Sequence, residues 1–187
     1  LDVIPDYDYA NGLKVFITVN KTAPRIQTAI TVKAGSKYDP PQTTGLAHYL
    51  EHMLFKGSHQ FGTVNYDKEK PYLDSISALF EQRKNETDTE KKKAIYSRID
   101  SFSYEASKWA IPNEYDKMVS SIGAKGTNAF TDRDLTCYVN DIPSNALDKW
   151  LFMESDRFQN LTLRIFHTEL EAVYEEFNIS TSYDQEW

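Results

Sequence analysis

Residues 45–53 read Gly-Leu-Ala-His-Tyr-Leu-Glu-His-Met, and this stretch contains three chemically active side chains, His48, Glu51 and His52. Successive residues of an α-helix are turned by about 100°, so Glu51 lies about 60° behind His48 and His52 lies about 40° ahead of it. The stretch therefore predicts a helix with two imidazoles and one carboxylate on a single face.

That helix face has the donors that a metal ion requires. Two histidines four residues apart can direct their ring nitrogens at one ion. Glu51 lies too close to them in sequence to be a third ligand, and it can instead hydrogen-bond a water held by the metal. The order His-x-x-Glu-His is the inverse of the commoner zinc-peptidase motif. The alternative is an ordinary polar helix face, and the specific spacing favours the metal site.

The composition limits the classes of function. With 187 residues and 40% hydrophobic content, the chain can bury the core of one domain. A net charge of -7 and scattered basic residues argue against nucleic acid and anionic membranes as partners. No apolar run approaches the ~20 residues of a transmembrane helix. Because Cys137 is the single cysteine, any zinc site must use histidine and carboxylate ligands.

Two segments before the motif alternate apolar and polar residues as β-strands do. They are residues 12–20 and 25–33, joined by a polar turn that contains Pro24. The alternation predicts an antiparallel pair with one buried face, as in a sheet that helices cover on one side. This arrangement indicates an α+β fold. Thr43 or Thr44 is the expected N-cap of the motif helix.

Two amphipathic helices are predicted after the motif, at residues 66–83 and 89–110. The short polar connection makes them antiparallel neighbours, so residues 66–110 are predicted to form an inserted helical hairpin outside the metal site. His59 precedes the hairpin and is expected to be an ordinary polar loop residue.

The second half of the chain continues with alternating helices and strands. The pattern predicts a helix over residues 112–122, a glycine-bearing turn over 123–131, a strand over 135–139 and a helix over 143–158.

The last predicted helix, residues 168–178, carries two carboxylates on an otherwise apolar face. Glu169 and Glu176 are seven residues apart and therefore project only about 20° apart, whereas Glu171 and Glu175 project toward solvent. Unpaired carboxylates on a core-facing stripe would be costly, so a cation or a histidine is expected beside them. Helix geometry leaves Glu169 and Glu176 as equal candidates for the metal ligand and for a supporting role.

Three segments of the chain together closely resemble the M16 peptidases, the pitrilysin and insulinase family. They are Gly-Leu-Ala-His-Tyr-Leu-Glu-His-Met-Leu-Phe-Lys-Gly at 45–57, Gly-Thr-Asn-Ala-Phe-Thr at 126–131 with Thr136-x-Tyr138 after it, and Glu-Leu-Glu-Ala-Val-Tyr-Glu-Glu at 169–176. These segments span nearly the whole chain in the family's order. The resemblance implies an M16-like fold and a zinc-dependent peptidase.

The resemblance also implies a role for each candidate residue. His48, His52 and Glu176 would be the ligands of a Zn²⁺ ion, and Glu51 would be the general base. Glu169 would be an outer glutamate that supports the site.

In the resembled family, the strand after the Asn-Ala-Phe-Thr segment is the sheet edge to which a substrate pairs as an added strand. Asn128, Ala129 and Phe130 are therefore expected to contact a peptide substrate.

Two features differ from the usual family pattern. His52 and Glu176 are unusually far apart in sequence, and residues 66–110 account for the excess, as similar insertions do in bacterial relatives. M16 enzymes also enclose substrate between two such domains, so the expected partner is a second M16-like domain in a longer chain or in another subunit. Residues 1–187 are thus expected to be one N-terminal domain, incomplete at its C-terminus, with little or no activity alone.

Two functions from different classes remain. The first is a zinc endopeptidase that hydrolyses peptides or small unfolded proteins through a zinc-activated water. The second is a non-catalytic M16-like subunit that binds peptide or assembles with a partner. Members of the second type usually lack one or more of the residues at the positions of His48, Glu51 and His52, so the intact motif favours the endopeptidase.

Overall fold

Five strands and six helices, besides two short 3-10 turns, make up residues 2–184, the part of the chain that the structure describes. The structure is a computed structural model, and side chains are described for residue 7 and for residues 9–166 and 168–178. Within the described residues, no helix has both the length and the apolar character needed to span a bilayer. The elements in chain order are β1 (Asp2–Asp8), β2 (Lys14–Val19), β3 (Arg25–Val32), α1 (Leu46–Met53), α2 (Tyr66–Asn85), α3 (Thr89–Ser107), α4 (Glu114–Ser121), β4 (Lys125–Thr131), β5 (Thr136–Pro143), α5 (Leu147–Gln159) and α6 (Phe166–Asp184).

The main sheet has three antiparallel strands in the order β3-β5-β4. The central strand β5 is buried along most of its length. Its Tyr138 ring contacts Phe55, just after α1, and Phe158 of α5, with ring centres 6.1 and 5.3 Å away. One side chain of the sheet thus contacts residues from two helical regions. The predicted α+β class, an antiparallel sheet packed with helices, is confirmed.

The predicted pairing of residues 12–20 with residues 25–33 is wrong. β2 pairs with β1 in a separate two-stranded sheet, whereas β3 pairs along its whole length with β5. The predicted buried face of the first strand is also wrong, because Leu13 and Ile17 are exposed. Alternating apolar and polar residues indicate a strand, but they do not identify the neighbouring strand.

Residues 125–131 form strand β4, although the sequence predicted a turn there. The register with β5 shifts between Lys125 and Asn128, beside Gly126 with φ 58°. Glycine tolerates this left-handed conformation, so here it marks an irregularity within a strand. The expected edge was the strand at residues 135–139, but that strand belongs to the central β5. Among the described strands, β4 is the edge on this side.

Helices α2 and α3 pack on each other as the predicted hairpin, and its status as an insertion stays a prediction. Five apolar side chains form the shared core: Ile76, Leu79, Ile95, Ile99 and Ala106. The hairpin also contacts the helix that carries the candidate glutamates. The ring of Phe80 in α2 lies 5.1 Å from the ring of Phe166, the first residue of α6.

A buried arginine joins the hairpin to the segment that follows α1. Arg164 donates to both carboxylate oxygens of Glu69 in α2, at 2.6 and 2.9 Å. It also donates to the backbone carbonyls of Lys56 and Ser58, at 2.8 and 3.0 Å. Gly57 has φ 108°, and a Cβ there would lie only 2.7 Å from Arg164 Nη1, so the contact requires glycine. One arginine therefore holds the two segments together.

Candidate metal centre

The motif helix α1 starts differently from the prediction. Neither Thr43 nor Thr44 caps it, because Gly45 holds the N-cap position with φ 91° and without a side-chain cap. Instead, the Asp39 carboxylate accepts hydrogen bonds from the backbone N–H groups of Gly45 and Ala47, at 2.7 and 2.9 Å. A carboxylate at this end satisfies free N–H groups and interacts favourably with the helix dipole. The cap thus comes from farther upstream than the sequence pattern suggested.

Three side chains bring one ligand atom each to a common point. His48 Nε2 lies 3.2 Å from His52 Nε2, and Glu176 Oε2 lies 3.3 and 3.5 Å from these two nitrogens. Ligands bonded to one tetrahedral zinc ion at ~2.0–2.1 Å are about 3.3 Å apart. The three residues therefore fit a zinc ion. With the Glu176 side chain 52% exposed, the site faces solvent, as a metal with an open coordination position requires.

Glu169 lies on the other side of the His52 ring. Its Oε2 is 3.4 Å from His52 Nδ1, and its Oε1 is 2.5 Å from Lys56 Nζ. A carboxylate beside Nδ1 favours the tautomer with the proton on Nδ1, which leaves Nε2 free to bind a metal. The Lys56 ammonium balances the buried charge of Glu169. The two glutamates that helix geometry left equivalent thus occupy different places, Glu176 beside the Nε2 atoms and Glu169 beside Nδ1.

A tyrosine of α1 fixes the start of α6. The Tyr49 hydroxyl donates to the backbone carbonyl of Phe166 at 2.8 Å. Burial, and then the charge of Glu169, raise the pKa of the Tyr49 hydroxyl, so it remains a protonated donor. Because Glu169 and Glu176 project from α6, this contact helps to set their distance from the histidines of α1.

Glu51 lies on the same helix as His48 and His52 but makes a different contact. It is 7% exposed, and its Oε2 accepts a hydrogen bond from Thr131 Oγ1 of β4 at 2.5 Å. Tyr138 lies close enough to Glu51 for the carboxylate charge to affect the pKa of the Tyr138 hydroxyl. Burial raises the pKa of the Tyr138 hydroxyl, the Arg157 cation opposes that shift, and the Glu51 charge adds to it. Glu51 is thus a buried carboxylate next to His52 in α1, and it lies outside the candidate ligand set.

The candidate substrate residues lie on β4, directly before Thr131. Asn128, Ala129 and Phe130 pair with residues 137–139 of β5. Phe130 is 50% exposed. Since β4 is an edge strand within the described residues, its outer backbone groups face away from β5 and can pair with another chain.

Sequence reasoning missed Tyr49, Lys56 and Thr131 as residues of this site. Tyr49 and Thr131 reach their partners across 117 and 80 residues of sequence. All three residues lay within the segments that resemble the family, but the spacing gave no sign of their partners. His59 stacks on Tyr66 at 4.2 Å and does not belong to the donor cluster, as expected for a polar loop residue.

Comparison with known proteins gives a family match that includes the motif. The family model described as insulinase, peptidase family M16, matches residues 14–70. Insulin-degrading enzyme of Homo sapiens is 40% identical over 70 residues, which are 37% of this chain and 6% of that protein. A putative zinc protease of Caenorhabditis elegans is 30% identical over 104 residues, which are 51% of this chain and 12% of that protein. The chain therefore spans only a small part of each relative.

A solved structure extends the comparison to most of the chain. A protease from Helicobacter pylori has a TM-score of 0.60 and 23% identity, covering 92% of this chain and 30% of that chain. This likeness concerns the fold, whereas the match to the family model includes the motif helix. In residues 14–70, which include the motif helix, the chain is similar to the insulinase family of peptidases, family M16.

Proposed function

We propose that the chain is the zinc-binding catalytic domain of an M16 endopeptidase that hydrolyses peptides or small unfolded proteins. The observation that carries this proposal is the meeting of ligand atoms from His48, His52 and Glu176, with the buried Glu51 on the same helix as the two histidines. The name of the Caenorhabditis elegans relative supports zinc as the metal. The intact motif favours a peptidase over a subunit that only binds or assembles.

The residues of the site have separate roles in this proposal. His48, His52 and Glu176 hold the zinc ion, which when bound supplies the Lewis acidity that polarises a carbonyl group and acidifies water. Glu51 takes a proton from the attacking water and returns it to the leaving amine nitrogen. Glu169 accepts the hydrogen bond from His52 Nδ1 and so directs Nε2 at the ion.

The edge strand β4 gives the proposed substrate a place to bind. An extended peptide could pair with the free edge at Asn128, Ala129 and Phe130, using main-chain hydrogen bonds. That edge runs beside the base, because Thr131 of the same strand contacts Glu51. A second M16-like domain, in a longer chain or in a partner subunit, would close over the bound peptide.

Zinc binding is the first test. The 187-residue chain should retain about one equivalent of zinc after dialysis, measured by elemental analysis. His48→Ala or His52→Ala should weaken zinc binding at least tenfold in a chelator competition titration, because each removes a ligand, and loss of a mere supporting group already costs about 10–100-fold. His59→Ala is the matched control and should bind as the wild type does. A wild-type chain without zinc, or histidine variants with unchanged affinity, would remove the proposed ligand set.

The two glutamates of α6 allow a second prediction. Glu176→Gln should weaken zinc binding more than Glu169→Gln, because the first change alters a ligand and the second alters only a hydrogen bond to a ligand. Glu175→Gln, an exposed neighbour on the same helix, is the control. The same titration would report all three affinities. If Glu169→Gln had the larger effect, the two roles would have to be exchanged.

A further inference from the structure

A row of oxygen atoms connects Glu51 to the core of the sheet. Thr131 Oγ1 lies 2.5 Å from Glu51 Oε2 and 3.2 Å from Thr136 Oγ1. Thr136 Oγ1 in turn lies 2.9 Å from the backbone carbonyl oxygen of Ala34. Glu51 and Thr136 are both buried. The row therefore joins α1, the edge strand β4, the central strand β5 and the residue that follows β3.

The donors and acceptors in this row determine which group donates each hydrogen bond. The Ala34 carbonyl and an ionised Glu51 only accept hydrogen bonds, and each threonine hydroxyl has one proton. Thr136 donates to the Ala34 carbonyl and Thr131 donates to Glu51 Oε2. Both protons are then used, so the two hydroxyl oxygens, 3.2 Å apart, are in contact without a hydrogen bond between them. Within the described residues, Glu51 Oε1 has no hydrogen-bond partner. One carboxylate oxygen is thus held by the sheet, and the other is left for a reacting group.

We propose that Thr131 is a positioning residue that fixes the Glu51 carboxylate so that Oε1 is the oxygen that accepts the proton from water. This inference rests on the proposed function of Glu51 as the base. Hydrogen bonds to an ionised carboxylate are shorter and stronger than those between neutral groups, which agrees with the 2.5 Å contact. A reacting group must be held to within about 0.5 Å, and a glutamate side chain alone does not have that rigidity.

The position of Thr131 in the chain adds a second consequence. It directly follows the segment Asn128–Phe130, at which the substrate is proposed to pair. One strand therefore orients the base and also presents the edge for the peptide. Because Thr131 and the proposed substrate edge both belong to β4, the distance between Glu51 and the bound peptide depends on this one strand.

Kinetics of the full-length protein test this role on a peptide substrate. Thr131→Val keeps the shape and removes the donor, so kcat should fall about tenfold, as expected when a supporting contact of a site is lost, with little change in KM or zinc content. Thr131→Ser keeps the donor and should restore most of kcat. Thr127→Val is the matched control on the same strand, since Thr127 donates to Asn140 at 2.9 Å. Unchanged kcat in an active Thr131→Val enzyme would overturn the proposal while leaving the proposed function intact.

A measurement without catalysis tests the contact itself. In the 187-residue chain, Thr131→Val should lower the thermal midpoint more in the wild-type background than in a Glu51→Ala background, because the two residues are coupled. Equal shifts in both backgrounds would overturn the proposal. A full-length wild type that binds zinc but cleaves no peptide would instead overturn the proposed function, and the role of Thr131 with it.

Discussion

Replacing Glu51 with glutamine should lower peptide turnover by the proposed peptidase by about 10²–10⁴-fold, the range for a positioned general base. Glutamine has nearly the same volume, and its amide oxygen can still accept the hydrogen bond from Thr131. It cannot take a proton from water, so the chemical step should be lost while the site keeps its shape. The measurement is kcat on a peptide substrate, together with zinc content by elemental analysis.

The zinc content distinguishes the loss of a base from the loss of a metal ligand. Glu51 is proposed to act on the water and not to bind the ion, so Glu51→Gln should retain zinc as the wild type does. Glu171→Gln, on the exposed side of α6, is the control and should change neither quantity. Full turnover by a zinc-loaded Glu51→Gln enzyme would refute the mechanism. Loss of zinc would instead show that Glu51 belongs to the ligand set.

The second large effect concerns stability. Arg164→Met should lower the free energy of unfolding by about 3–5 kcal/mol, because it leaves the Glu69 carboxylate buried without its partner. Arg164 is 1% exposed and also satisfies the carbonyls of Lys56 and Ser58, so several hydrogen bonds are lost together. Urea unfolding followed by circular dichroism would measure the change.

Two comparisons identify the cause of that loss. The double variant Arg164→Met with Glu69→Leu should be less destabilised than the sum of the single variants, since no buried charge remains unpaired. Lys70→Met breaks the exposed pair with Asp74, at 2.6 Å on the same helix, and should lower stability far less than Arg164→Met does. A loss of less than about 1 kcal/mol in the free energy of unfolding of Arg164→Met would contradict the prediction.

The hairpin is more closely connected to the site than its predicted place as an insertion suggests. Glu69 of α2 pairs with Arg164, and Arg164 holds the carbonyl of Lys56, whose side chain pairs with Glu169. Phe80 also packs on the first residue of α6. These contacts connect α2 with Glu169, whose carboxylate lies beside Nδ1 of His52. They give the hairpin a physical route for supporting the site, although none of its residues belongs to the donor cluster.

Features that depend on neighbours along the chain could be predicted from the sequence. His48, Glu51 and His52 share one side of α1 because the helix fixes the angle between residues three and four apart. The two hairpin helices were predicted almost to their observed ends, since their apolar stripes have the helical period. The same reasoning placed Glu169 and Glu176 on one helix face. It could not decide which of them is the metal ligand, because both fit that face equally well.

Contacts between distant segments were decided only by the tertiary structure. The pairing of β3 with β5, the edge position of β4 and the ion pair of Arg164 with Glu69 all join such segments. So do the contacts that separate the two glutamates, Glu176 facing the Nε2 atoms and Glu169 facing Nδ1 of His52. The period of a sequence shows which side chains share a face, but it does not show which surface that face will meet. That choice depends on how all the segments bury their apolar surfaces and pair their charges at once, so it arises only when the chain folds.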